Sequence, residues 1–237
     1  MRKTGAGTIW GKKHYNIPNL SQYHLEPTPF VVDAIPFLRE NDIKTILDAG
    51  CGQGRNSLYL RKQNFEITSI DASKEACALT KKLFQKHNLG LSLINSELQN
   101  IPTIRSNSID AIICVTVLTH ILDPEIVLRE FYRILKPGGI LIADLANTKD
   151  STYPIISKSG IPLGKNVFLE GDTNVKYFED SEDVKALFHK FKDRIIRIFD
   201  FYELEESDIT FEEPPHPGSR QYNHIHSSFV ITAQKQK

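Results

Sequence analysis

The chain lacks a charge excess of either sign: 29 Lys and Arg balance 29 Asp and Glu over 237 residues. A general binder of nucleic acid or acidic membranes normally carries a basic surplus, so only a local patch of that kind is left open. Cysteine is scarce. Cys51, Cys77 and Cys114 are odd in number and far apart, and no pair has zinc-ligand spacing. That argues against a disulfide framework and for a reduced, cytoplasmic setting. No apolar run reaches the length of a membrane span. The opening MRKTGAGTIWGKKHY is basic but has no apolar core of a secretory signal. Internal repeats and low-complexity tracts are also absent. What is present is a 40% hydrophobic chain, long enough to bury a real core as one large domain or two small ones.

The apolar pattern alternates between two periods. Residues 29–40 repeat at helical spacing with Pro29 near the start. IKTILDAG reads as a strand, RNSLYLRKQ as a helix and FEITSID as a strand. SKEACALTKKLFQKHN reads as an amphipathic helix capped by Ser73. LSLINS and IDAIICVTVL are strands, PEIVLREFYRILK is a helix stopped by Pro137-Gly138-Gly139, and ILIADLA is the next strand. Strands alternating with helices imply an α/β fold, a parallel sheet with helices on both faces. Residues 147–180, rich in Gly, Pro, Ser and Asp, read as an insertion or cap. SEDVKALFHKF is a short helix. DRIIRIFDFYEL and HSSFVITAQK are two more strands, joined by an acidic, Pro-rich loop.

One turn stands out. LDAGCGQGR places Gly50, Gly52 and Gly54 between a buried strand and a helix, with Asp48 in front. The spacing is neither the G-x-G-x-x-G dinucleotide fingerprint nor a P-loop, which ends in G-K-[ST]. A bare strand-to-helix turn is the plain alternative, but three close glycines cost stability if nothing approaches the backbone. Asp71 ends the next expected strand, and in a doubly wound sheet that end lies beside the glycine turn. An acid there can accept both ribose hydroxyls of a nucleoside. Alone it would read as a solvated turn aspartate; beside the glycines the ligand reading prevails.

LDAGCGQG, SIDAS, SELQNIP, IDAIICVTVLTHI and LREFYRILKPGGILIADL, in this order over residues 30–146, resemble the class I S-adenosylmethionine-dependent methyltransferases. CGQGRNSLYL, PTPFVV, KYFEDSEDVKALF and HIHSSFVITAQK resemble the small-molecule branch near tellurite-resistance and thiopurine-type enzymes. The resemblance implies a Rossmann-like, seven-stranded, mostly parallel sheet in a single domain over 1–237. It implies S-adenosyl-L-methionine as cofactor. Asp48, Ala49, Gly50, Cys51, Gly52 and Gly54 would then form its cradle, with the backbone of Gly50 to Gly52 against the methionine part. Arg55 and the helix N-terminus after Gly54 suit the methionine carboxylate. Asp71 would bind the ribose and Ala72 would pack on the adenine. Glu97 stands where many members have an aspartate, one methylene shorter, and Leu98 would pair with adenine through its backbone. Val115 to Leu118 would wall the site.

For the acceptor, several side chains are candidates, and a base is needed only if the acceptor must lose a proton. His120 follows the fourth strand, as a catalytic group or as a turn histidine bonded to backbone. Tyr15 and Trp10 belong to residues 1–28, read as a lid segment, or are ordinary packing aromatics. Tyr177 and Phe178 are read as lining the acceptor pocket, and Arg220 as a partner for an anionic acceptor. His224 and His226 alternate on one strand and so share a side. With His216 and His120 they suggest a metal, yet no carboxylate or cysteine stands at ligand spacing. The expectation is no metal and a place beside the acceptor pocket. The whole reads as a methyltransferase acting on a small molecule, with neither nucleic acid nor membrane as partner and its oligomeric state open. A non-catalytic cofactor-binding protein, a protein or RNA methyltransferase and a nicotinamide dehydrogenase are the rivals.

Overall fold

A computed structural model describes residues 26–203 and 224–237. Two short helices come first, α1 (Pro29–Asp33) and α2 (Ile35–Glu40), where the sequence pattern predicts one. The break has a local cause: Pro36 has no N–H to give to the carbonyl of Val32, so the first helix cannot run on. Then follow β1 (Thr45–Ala49), α3 (Arg55–Lys62), β2 (Glu66–Asp71), α4 (Lys74–Lys86), β3 (Ser92–Asn95) and β4 (Ile109–Cys114). Ser73 caps α4 as expected, its Oγ accepting the Ala76 N–H at 3.1 Å. A single 3-10 turn, Leu118–His120, precedes α5 (Pro124–Ile134). α5 ends before the expected Pro-Gly-Gly stop, because β5 (Leu135–Ala146) already begins at Leu135.

The sheet order is β3-β2-β1-β4-β5-β10-β9, with β9 (Lys192–Glu203) and β10 (His224–Gln234) forming an antiparallel edge on an otherwise parallel sheet. The chain winds outward from β1 to β3 and then crosses back to β4. The carboxyl ends of β1 and β4 therefore flank a topological switch point, where open α/β sheets bind ligands. Both faces are covered. Leu47, Ile112, Leu141, Phe131 and Phe229 pack on one side, and Phe30, Leu38, Ile46, Leu60, Ile113 and Ile142 on the other. Such two-sided burial explains why IDAIIC and ILIADLA read as nearly unbroken apolar runs.

Residues 147–180 carry more order than their composition predicts. They form α6 (Tyr153–Ser159) and a three-stranded antiparallel sheet of β6 (Ile161–Gly164), β7 (Val167–Glu170) and β8 (Thr173–Lys176). Ile156, Phe168, Val175 and Tyr177 make its own small core. Asn147 bridges Phe178 at its base, and α7 (Ser181–Leu187) follows, capped by Asp180. Among the described residues no helix is long and apolar enough to cross a membrane. Trp10, Tyr15, His216 and Arg220 lie outside the described residues.

Candidate active site

At the end of β1 the chain turns through Gly50, Gly52 and Gly54 with φ of +78°, +56° and +89°. These are left-handed conformations that cost most residues strain but not glycine. The N–H groups of Gly50 and Cys51 both donate to the Ile70 carbonyl, at 2.8 and 3.0 Å, which ties the turn to β2. A Cβ on Gly50 would sit 2.2 Å from Val117 Cγ2, so only glycine lets the turn lie against the wall after β4. Thr80 Oγ1 on α4 donates to the Gly52 carbonyl at 2.7 Å.

Asp71 closes the arrangement. Its Oδ2 accepts the Gly52 N–H at 2.9 Å and its Oδ1 the Ser73 N–H at 2.8 Å. Burial raises its pKa, the two amides pull it back, and the charge of nearby Glu97 adds to the rise. Asn95 Nδ2 holds the next turn by donating to the carbonyls of Asp71 and Ala72 at 2.9 and 3.0 Å. Beneath the turn, Asp48 is 2% exposed. Burial pushes its carboxyl up to about 6, against the bond from Ser57 Oγ at 2.5 Å. Ser69 Oγ donates in turn to Ser57 Oγ at 2.8 Å.

These residues fit S-adenosylmethionine. The turn offers backbone and no lysine, which suits a phosphate-free nucleoside with an amino-acid tail. The Asp71 carboxylate is held by two amides at the strand end where a ribose would lie. Arg55 opens α3 directly after the turn. Ala49 and Cys51 are buried; Ala72 and Glu97 are half-buried, and the Leu98 side chain lies in the main core. Val115 packs on the face of β1 and β4 that α2 covers.

The wall after β4 is strained. Thr116, a β-branched residue, has φ +56° and donates its N–H to Asp144 Oδ1 at 2.5 Å. Such outliers persist only where the surroundings over-determine them. Burial pushes the Asp144 carboxyl up to about 6, opposed by the Thr116 N–H, Ser228 and the nearby His226. Thr119 Oγ1 donates to the Lys176 carbonyl at 2.5 Å and His120 Nδ1 lies 3.1 Å from the Asn174 carbonyl. The turn carrying His120 is thus fastened to β8.

On the acceptor side the structure departs from expectation. Tyr177 is 3% exposed and belongs to the small core of 147–180, its hydroxyl 2.8 Å from Thr152 Oγ1. Phe178 is buried in the main core. Neither side chain lines an open pocket, because the hairpin β7-β8 and α6 close over Tyr177 and the main sheet over Phe178. His226 stands at the start of β10, with Nδ1 3.5 Å from Asp150 Oδ2. His224 opens the same strand, its backbone opposite Glu203. Sequence reasoning missed Asp144 and Asp150. Asp144 had a signal, a lone carboxylate in the apolar run ILIADLA; Asp150, in a polar loop, had none. A surface cleft of about 120 Å³, lined by residues such as Leu128, Arg129, Leu187 and Phe191, touches none of these groups.

Residues 47–143, from β1 to β5, match the family model described as a methyltransferase domain. A glycine/sarcosine N-methyltransferase from Aphanothece halophytica is 28% identical over 180 residues, covering 74% of this chain and 66% of that protein. Other curated relatives are matched over only about half of their length, 46% to 50%. Among solved structures, a SAM-dependent methyltransferase from Methanosarcina mazei shares the fold with a TM-score of 0.68. It is 22% identical, over 89% of this chain and 99% of its own. TehB from Haemophilus influenzae shares it at 0.59, with 20% identity over 97% of this chain and 67% of its own. The matched segment, less than half of the chain, holds the glycine turn, Asp71 and the wall after β4, and it is there that the chain resembles the S-adenosylmethionine-dependent methyltransferases.

Proposed function

We propose that the chain transfers the methyl group of S-adenosylmethionine to a small-molecule acceptor. The observation that carries this reading is the hydrogen-bonded unit of Gly52 and Asp71, which joins a phosphate-free glycine turn to a ribose-accepting carboxylate. When bound, the sulfonium supplies an activated methyl and an excellent leaving group. What remains for the protein is positioning and exclusion of water. In this reading Asp71 receives the ribose hydroxyls, the turn from Gly50 to Gly52 lies along the methionine part, and Arg55 with the start of α3 meets its carboxylate. Val115 to Leu118 walls the site. Residues 147–180 act as a cap, fastened to that wall through Thr119 and His120. Residues 1–28, with Trp10 and Tyr15, serve as a lid that closes over acceptor and cofactor. The name of the glycine/sarcosine N-methyltransferase relative supports a small acceptor.

Calorimetry with S-adenosylhomocysteine and with NAD tests the cofactor, and release of S-adenosylhomocysteine on mixing the protein with S-adenosylmethionine and a protein-free metabolite extract tests the reaction. Binding of NAD in place of S-adenosylhomocysteine would make the chain a dehydrogenase. Tight binding of S-adenosylhomocysteine without turnover on any extract would favour a non-catalytic binding protein.

A further inference from the structure

β10 runs antiparallel to β5, with Ser228 opposite Ala146 and Val230 opposite Asp144. The first residues of β10 therefore reach the carboxyl edge of β5, the edge on which the glycine turn sits. His226, Ser228 and Asp144 lie on one face of the sheet, since residues opposite or two apart share a face. Contacts connect this corner to the cofactor turn: Gly50 lies against Val117, and the N–H of neighbouring Thr116 is held by Asp144. His226 is thus linked to the glycine turn through Asp144, Thr116 and Val117.

Its partner is unusually well fixed. Asp150 is 4% exposed. One carboxylate oxygen accepts the Thr152 N–H at 2.8 Å and the Thr152 hydroxyl. The other accepts the Ser227 N–H at 3.2 Å and faces His226 Nδ1 at 3.5 Å. The Thr152 hydroxyl is braced in turn by Tyr177 at 2.8 Å. A carboxylate held this way keeps the proton of a neutral imidazole on Nδ1 and leaves Nε2 as the basic atom. The His226 side chain is 25% exposed, enough to meet a small molecule.

Building on the function proposed above, we propose that His226, oriented by Asp150, is the base that receives the acceptor's proton during methyl transfer. The acceptor heteroatom forms its new bond to the methyl carbon as the carbon–sulfur bond breaks, both electrons staying on sulfur. The proton of the acceptor passes to Nε2, and the imidazolium so formed is balanced by Asp150. Solvent then takes the proton. Asp150 is a positioning residue. Among the described residues, the carboxylates around His226 are Asp144 on β5, Asp150 after it, and Asp200 on β9, which is linked through Ser227 Oγ at 2.5 Å.

The test uses the full chain, S-adenosylmethionine and the protein-free metabolite extract. His226→Gln lowers turnover at least about a hundredfold, while affinity for S-adenosylhomocysteine stays within twofold of the parent. Added imidazole restores part of the turnover of His226→Ala. Asp150→Asn removes the charge that favours the imidazolium, so the rising limb of the pH–rate profile moves to lower pH as the plateau drops. A second reading needs no acceptor: the His226 imidazole signal, assigned by its loss in His226→Gln, titrates at lower pH in Asp150→Asn. Wild-type turnover in His226→Gln, or an imidazole titration unmoved by Asp150→Asn, overturns the proposal. Failure of the parent protein to bind S-adenosylhomocysteine overturns instead the function on which it rests.

Discussion

The amide of Gly52 donates to the carboxylate of Asp71 across 2.9 Å. The glycine turn and the strand-end acid are therefore one hydrogen-bonded unit. The same carboxylate that receives the ribose in the proposed function also fixes the turn that would hold the amino-acid end.

Asp71→Ala removes both jobs. It leaves the Gly52 and Ser73 amides without their acceptor and takes a charge-assisted bond from the ribose. Losing such a bond costs about 1.5–3 kcal/mol, or roughly ten- to a hundredfold in affinity. Calorimetry with S-adenosylhomocysteine measures it; unchanged affinity would remove Asp71 from the cofactor site.

Gly50→Ala is expected to destabilise the protein by about 1–3 kcal/mol. The added methyl meets Val117 Cγ2 at 2.2 Å in a backbone with φ +78°. Combining it with Val117→Ala removes the offending Cγ atoms and leaves only the Cβ contact at 3.3 Å. Thermal unfolding should show the double variant recovering part of the loss. If it recovers nothing, backbone strain alone sets the cost.

Stability should fall as pH rises from about 4 to about 6. Asp48 and Asp144 are pushed up from 3.8 to about 6, mainly by burial. The folded state thus holds protons that the unfolded state has released, and each group contributes on the order of 2–3 kcal/mol in favour of the acid side of that window. Asp150, Asp110 and Glu130 have lowered values and contribute the other way, losing their share as the pH drops through the carboxylate range. An optimum near pH 4, at the acid end of that fall, results. Asp48→Asn flattens the slope between about pH 4 and 6 in urea titrations. An equal slope in parent and variant would show that Asp48 is already ionised at pH 5.

Tyr177→Phe keeps the ring, which packs edge-on against Tyr153 at 5.1 Å, and deletes only the bond to Thr152. The expected cost is about 0.5–1.5 kcal/mol in chemical denaturation. A loss of several kcal/mol would mean that the hydroxyl anchors more of the cap than this one bond.

Much of the molecule was legible in the linear chain, for reasons that are local. Strand and helix periods, the proline that opens the first helix, the Ser73 cap and the left-handed glycines all depend on neighbours within a few residues. The alternation of elements led to the parallel sheet, and the spacing of Gly50, Gly52 and Asp71 to the nucleoside. The pattern misses the break at Pro36 and places the end of α5 two residues late. The segment 147–180 misled through its composition, since strands of four residues carry little periodicity and gain their order from a small core of four side chains.

What the sequence by itself determined, then, was the sheet and the glycine turn, because each follows from backbone preferences and short spacings. Only the tertiary structure decided which groups meet at the acceptor side. Asp150 and Ser227 lie 77 residues apart and Thr152 and Tyr177 lie 25 apart, and no local rule pairs them. It is the antiparallel return of β10 along β5 that carries His226 to Asp150, and the packing of α6 and β7-β8 that buries Tyr177 in its small core. Register across the sheet is set by the sum of many buried contacts, and that sum is not written at any single position.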